Sequence, residues 1–224
     1  MNEMLWIGFA LLDLAVVIFA FRMFGKSGLM AMIVFSLLLC NIQVLKTVQL
    51  FGLTTTLGNV LYASIFLSTD LLSEFFGKKE AQKGVLLGFL ALVAGTLYMQ
   101  IALHFVPAGD DFAQPHLQTI FGFMPRVALG SMAAYLVSQW SDVTLFDAIR
   151  KKTGEGRLWL RNNLSTLTSQ FLDSAIFCTI AFYGVFPLPV FLEIMLSTYV
   201  IKMLMGIMDT PFIYLARRFA PQAA

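Results

Sequence analysis

Twelve of the fifteen lysines and arginines in this chain fall in every second gap between its long apolar runs. They are Arg22 and Lys26; Lys78, Lys79 and Lys83; Arg150, Lys151, Lys152, Arg157 and Arg161; and Arg217 with Arg218. The intervening gaps carry none. Membrane proteins retain Lys and Arg in their cytoplasmic loops, so this alternation both marks the runs as spans and orients them. With the basic gaps inside, the N-terminus lies outside and the C-terminus inside. Strand-like alternation is absent, which argues against a barrel. The expected fold class is all-α, a polytopic transmembrane helix bundle.

A crossing needs about 20 apolar residues. Seven runs qualify approximately: Met4 to Phe21, Leu29 to Phe51, Leu57 to Phe76, Val85 to Val106, Gly122 to Phe146, Leu164 to Phe186, and Val190 to Leu215. A chain that is 58% hydrophobic and only 12% charged supports the membrane reading. The small net charge of +2 is explained by the topogenic loops, so nucleic acid is not an expected partner. Glu3 precedes the first run and basic residues follow it, the reverse of a signal peptide, and that run is expected to remain as a helix. Residues 1–28 read as an additional N-terminal helix with its basic turn, and 29–224 as a six-helix core. In the long inner gap, Gly154, Glu155 and Gly156 read as a turn, with Leu158, Trp159 and Leu160 resting on the headgroup layer.

Three cations lie inside the runs: Lys46, Arg126 and Lys202. A cation in hydrocarbon costs at least about 2.5 kcal/mol, so each should be paired, hydrated or engaged with a ligand. The acids Asp70, Glu74, Asp142, Asp173 and Asp209 outnumber them. Helical spacing gathers the polar residues into stripes. The third run carries Asn59, Ala63, Phe66, Asp70, Ser73 and Glu74, and the fifth carries Arg126, Gly130, Ala134, Ser138 and Asp142. The sixth adds Thr166, Gln170, Asp173 and Phe177, and the seventh Thr198, Lys202, Gly206 and Asp209. Such faces avoid lipid. Single Ser, Thr or Gln residues read as interhelical glue, whereas the surplus carboxylates point to hydration or a ligand; Asp173 and Lys202, near midspan, are favoured as functional groups over a bundle-fixing ion pair. Asp13 reads as a pairing residue toward a neighbouring helix, and Glu193 as an acid at a helix N-terminus.

One internal echo stands out. Ser138-Gln139-Trp140-Ser141-Asp142 and Ser169-Gln170-Phe171-Leu172-Asp173 share the form S-Q-x-x-D, each followed four residues later by a phenylalanine. Faint repeats of this kind are common in transporters.

Other chemistries find little support. Cys40 and Cys178 lack C-x-x-C spacing and read as buried, reduced packing residues. His104 and His116 lack metal-ligand spacing, so no metal is expected. Gly25-Lys26-Ser27 resembles the end of a phosphate loop, but Ala20 stands where the first glycine belongs. No nucleophile elbow or HExxH appears, so an enzyme is not expected, and no cofactor is implied.

The motifs together resemble the queuosine precursor transporters, a membrane family also described as vitamin-uptake-like. Asn41-Ile42 with Lys46, and the stretch S-T-D-L-L-S-E-F-F-G containing Asp70, Glu74 and Gly77, resemble its first signature. Pro125-Arg126 through Ser131, Tyr135, Ser138-Gln139 and Asp142 to Phe146 resemble the second. The most specific stretch is Leu158 to Phe177, L-W-L-R-N-N-L-S-T-L-T-S-Q-F-L-D-S-A-I-F, continued by Tyr199, Lys202 and Asp209-Thr210-Pro211. The resemblance covers roughly Cys40 to Tyr214, and Asp13 inherits no role from it.

It implies import of 7-deazaguanine bases such as cyano-deazaguanine (preQ0), aminomethyl-deazaguanine (preQ1) or queuine across the inner (plasma) membrane, for modified transfer RNA. A carboxylate can accept the adjacent N–H groups of a guanine-like base, and amides suit its O6 edge. Asp173, Gln170, Gln139 and Asn41 supply those groups. Phe177 or Phe66 offers a stacking face, and Lys202 or Arg126 neutralises the carboxylates of the empty site. The expected substrate-binding set is Asn41, Lys46, Asp70, Glu74, Arg126, Gln139, Asp142, Gln170, Asp173, Phe177 and Lys202. Energy coupling stays open between a self-contained carrier, with a proton as coupling ion, and a membrane subunit driven by separate ATPases.

Overall fold

The computed structural model describes residues 1–153, 158–208, 210–216 and 218. The expected turn at Gly154, Glu155 and Gly156, and Asp209, lie outside the described residues, as do the side chains of Leu158, Trp159 and Leu160. Helix α1 spans Asn2–Gln43, and Gly25 interrupts it with φ 55 and ψ −132. A side-chain carbon on Gly28 would stand 2.2 Å from the Ala20 carbonyl oxygen. Residues eight apart in a straight helix are separated by about 12 Å, so the chain turns back sharply here, at glycines that permit it.

The element order continues with strands β1 (Thr47–Leu50) and β2 (Leu53–Thr56), a 3-10 turn (Leu57–Leu61), and α2 (Tyr62–Phe76). Next come α3 (Lys78–Leu103), α4 (Gln114–Phe121), α5 (Met124–Thr153), α6 (Leu158–Phe182), α7 (Leu188–Met208) and α8 (Thr210–Ala216). Among the described residues, four helical stretches are long and apolar enough to cross a membrane: Asn2–Gln43, Lys78–Leu103, Gln114–Ile149 and Leu188–Ala216. The chain is a mostly helical membrane protein.

The antiparallel hairpin β1–β2 corrects the expectation of a purely helical chain. It replaces the end of the second apolar run and precedes the third, so helix stops at Gln43 and resumes only at Tyr62. Register pairs Thr47 with Thr56 and Leu50 with Leu53. The β-branched Thr47, Val48, Thr54, Thr55 and Thr56 suit a pleated ribbon. Its two central turn residues, Phe51 and Gly52, both have positive φ (52 and 80), the backbone that matches the twist of a two-residue hairpin.

Packing sorts the elements to two ends. At one end Asn2 Nδ2 donates to the Gln49 carbonyl (3.0 Å), Glu3 Oε1 accepts the Phe51 N–H (3.2 Å), and Glu193 Oε2 accepts the Thr54 N–H (3.0 Å). At the other, Glu80 bridges Lys26 and Lys83, each at 2.7 Å. Two basic gaps thus meet at the end opposite the hairpin. Asp13, on the first half of α1, accepts the Ser64 backbone N–H at 3.1 Å. That N–H lies in the first turn of α2, where no intrahelical partner exists, so Asp13 caps a helix from another segment.

Leu14, Val17, Leu29, Leu67, Leu71 and Met205 pack into one core, and Val127, Ala134, Phe177, Cys178 and Ala181 into a second between α5, α6 and α7. Cys40 and Cys178 are free and buried. In a bilayer such contacts act through close packing rather than water exclusion, and the small residues on α5 fit that role.

Candidate functional site

A cavity of about 320 Å³ lies between α1, α2, α3, α5, α6 and α7. Its deep end is formed by Asn41, Tyr62, Asp173 and Lys202, and it reaches Asp70, Ser73 and Lys78 where α2 meets α3. The depth is polar because α1 brings in Asn41 in its last turn and because α7 sends in a lysine.

Lys202 is 2% exposed, yet it is fully engaged. Its ammonium donates to Asp173 Oδ2 and sits 4.1 Å from the Tyr62 ring centroid and 5.9 Å from that of Phe177. A carboxylate in contact and two aromatic faces replace the water that the cation gives up. Ser138 Oγ approaches the other oxygen, Asp173 Oδ1, at 3.4 Å. Asn41 is equally committed, accepting from Ser131 Oγ (2.5 Å) and donating to the Leu37 carbonyl (2.7 Å). By contrast, Asp70, Gln139 and Gln170 line the cavity and make no hydrogen bond or ion pair with any described residue. Those three side chains are free to receive a ligand.

The expected site residues therefore divide. Asn41, Asp70, Gln139, Gln170, Asp173 and Lys202 come together around the cavity. Phe177 lies just behind, edge-on to Phe182 at 5.7 Å, and Asp142 sits further along α5, accepting from Ser169 Oγ at 3.3 Å. Glu74 is exposed one turn beyond Asp70. Arg126 and Lys46 lie elsewhere. Arg126 donates through Nε to the Ile180 carbonyl and through Nη2 to that of Tyr183, both at 2.5 Å, so it satisfies the carbonyls at the C-terminal end of α6. Lys46 follows the end of α1 and borders a second, more apolar cavity with Trp6, Phe9 and Val48, beside the hairpin.

Helix α5 turns two adjacent faces to different neighbours, with Ser138 at their border. The stripe Arg126, Gly130, Ala134, Ser138 faces α6, because a side-chain carbon on Gly130 would already touch the Phe177 carbonyl oxygen at 3.4 Å. The face toward the cavity is Ser131, Tyr135, Ser138 and Gln139. Tyr62, Phe89 and Tyr135 are cavity residues that polarity alone did not select. For Tyr62 and Tyr135 the available signal was a polar residue one turn away along the chain, Asn59 and Ser131 respectively; Phe89 has only apolar neighbours at that spacing and carried no such signal.

Comparison with known proteins identifies the family. Residues 56–216 match the family model described as "Putative vitamin uptake transporter". A Bacillus subtilis protein named "Probable queuosine precursor transporter" is 47% identical over 221 residues, 98% of this chain and 96% of that protein. The chain belongs to the queuosine precursor transporter family. It is a family of transporters, not enzymes. An Escherichia coli member, "Queuosine precursor transporter", is 31% identical over 173 residues, covering 75% of this chain and 74% of its own. A "Probable queuosine precursor transporter" of Haemophilus influenzae is 30% identical over 135 residues, 59% and 54% of the two chains. No solved structure gives a significant match. The family match begins at Thr56, so this queuosine precursor transporter family member carries α1 and most of the hairpin ahead of the matched segment, while α1 still supplies Asn41 to the cavity.

Proposed function

We propose that this transporter imports 7-deazaguanine bases across the inner (plasma) membrane and holds them in the cavity between Asp70 and Lys202. The observation that carries the reading is the division of the polar lining into committed and free groups. Asp173 and Lys202 neutralise each other, so the deep end presents no net charge to a neutral base. Asp70 keeps both carboxylate oxygens open, the arrangement that accepts the adjacent N1–H and 2-amino N–H groups of a guanine-type edge. Gln139 and Gln170 bring amide donors for O6. Asp70 thereby takes the role for which the sequence favoured Asp173.

Seven crossings, N-terminus outside, best accommodate the chain. At 42 residues α1 extends about 63 Å, roughly two hydrocarbon thicknesses, and Gly25 folds it into two passes. Gathering Lys26 and Lys83 on Glu80 at the end opposite Glu3 and Glu193 fits a basic face toward the cytoplasm. Under that orientation the cavity opens inward past Asp70, and the hairpin closes the outer end. Labelling of single cysteines introduced at Asp110 and at Lys151 should reach the first only from outside and the second only from inside; access to both from one side refutes the orientation.

The decisive experiment is uptake of radiolabelled cyano-deazaguanine into vesicles containing the purified chain alone. Saturable uptake by the parent is expected. Asp70→Asn exchanges one acceptor for a donor amide and should weaken affinity about tenfold to a hundredfold, the equivalent of one charged hydrogen bond. Its thermal midpoint should hold, because Asp70 bonds to no described residue. Uptake that needs an added ATPase selects the ATPase-driven subunit over the self-contained carrier, and unchanged affinity removes Asp70 from the site.

A further inference from the structure

We infer that Phe89 and Tyr135 form the stacking platform on which the flat ring of the substrate rests, with Gln139 reading the edge of that ring. The inference rests on the proposed transport of a flat heteroaromatic base and assigns positioning roles within that cavity. Four aromatic side chains line the cavity, and they occur as two pairs. Tyr62 and Phe66 stand on α2 with ring centroids 5.9 Å apart; Phe89 on α3 meets Tyr135 on α5 at 5.0 Å with a 56° tilt. All four are half-buried, so each keeps part of its ring toward the open space.

The pairs are not equivalent. A face of Tyr62 is already covered by the Lys202 ammonium 4.1 Å from its centroid, which leaves the α2 pair tied to the ion pair. No cation covers Phe89 or Tyr135 among the described residues. Tyr135 and Gln139 are four residues apart on α5 and therefore lie one above the other on the same face. A planar base laid against the Phe89–Tyr135 pair then has its rim beside the Gln139 amide, which no described residue occupies. Phe177, the ring that sequence spacing favoured for stacking, instead packs edge-on to Phe182 behind Lys202. Phe89 packs against a small core of Leu92, Met124 and Ala128 and also lines the cavity, so the ring is braced by the bundle. A braced, preoriented ring loses little freedom when a base stacks on it.

The test uses the purified full chain in lipid nanodiscs, with labelled cyano-deazaguanine as the probe, and records affinity and thermal midpoint together. Phe89→Leu and Tyr135→Leu should each weaken binding about 5- to 100-fold, the range of one base–aromatic stack. Tyr135→Phe keeps the ring and should bind within about twofold of the parent. If a Leu variant does not accumulate, Phe89→Met or Tyr135→Met restores volume without a π face, and the same loss of affinity is expected. Parental affinity in folded Leu or Met variants overturns the platform and leaves the pair as packing. Loss in Tyr135→Phe equal to that in Tyr135→Leu also overturns it, because the hydroxyl rather than the ring would then be the contact. Absence of binding by the parent chain is a different failure, that of the transport reading, and the platform falls with it.

Discussion

The two S-Q-x-x-D segments occupy matching places on neighbouring helices but have different surroundings. Helices α5 and α6 run antiparallel, so Ser138 meets Asp173 while Ser169 meets Asp142, at 3.4 and 3.3 Å. Each serine also bonds to the carbonyl three residues earlier in its own helix, Tyr135 and Thr166 respectively. Both glutamines face the cavity. The local pattern is thus close to symmetric about the α5–α6 contact. Helix α7 breaks the symmetry, because Lys202 reaches Asp173 and no described lysine or arginine reaches Asp142. The same five-residue pattern yields an ion-paired cavity wall in one copy and a helix-contact carboxylate in the other. A motif sets local bonding; a third element decides its electrostatic role.

The largest expected effect comes from breaking that distinction at its source. Lys202→Met leaves Asp173 beside apolar rings without its cation, and removal of one member of a buried pair costs on the order of 3–5 kcal/mol. Asp173 retains 18% side-chain exposure to the cavity, which places the cost toward the lower end of that range. Thermal unfolding in detergent should show a clear loss of stability. Combining Lys202→Met with Asp173→Asn removes both charges and should recover most of it. A parental midpoint in Lys202→Met alone would make the two acidic segments energetically alike and undo the contrast.

How much of this was legible in the sequence follows the same division between local and tertiary information. The mostly helical, apolar membrane character and the pairing of the opposite charges Asp173 and Lys202 rest on local or compositional signals, and they read correctly. The hairpin did not, because Thr47–Leu50 closes one hydrophobic run and Leu53–Thr56 fills the short gap before the next, and in such short β-branched stretches hydropathy does not separate strand from helix. That misreading carried Lys46 into a helix and toward the substrate, whereas the chain had already left α1 at Gln43. Arg126 was misplaced for a different reason. Helix α5 bears two plausible stripes about 100° apart, and only the close approach of α6 at Gly130 shows which one is interhelical. Asp70 was placed in the candidate set, but its freedom from any described partner is a property of the assembled bundle.

The smallest effects provide the finest test of the reciprocal contacts. Ser138→Ala and Ser169→Ala each delete a long serine–aspartate link and a shorter bond to the helix's own backbone, at 3.1 Å for Ser138 and 3.0 Å for Ser169. Because the links exceed the usual O–H···O range, each substitution should cost less than about 1 kcal/mol, and the two costs should agree within about 0.5 kcal/mol. Transport should separate what stability does not. Ser138 bears on Asp173, whose other oxygen is held by Lys202, so its loss frees an acceptor at the cavity wall and should raise the KM for labelled cyano-deazaguanine about two- to fivefold, a shift of less than about 1 kcal/mol. Ser169 bears on Asp142, outside the cavity lining, and its loss should leave KM at the parental value. Equal KM shifts in both variants would mean that Asp142 and Asp173 serve the substrate alike, and the asymmetry attributed to α7 would then concern stability alone.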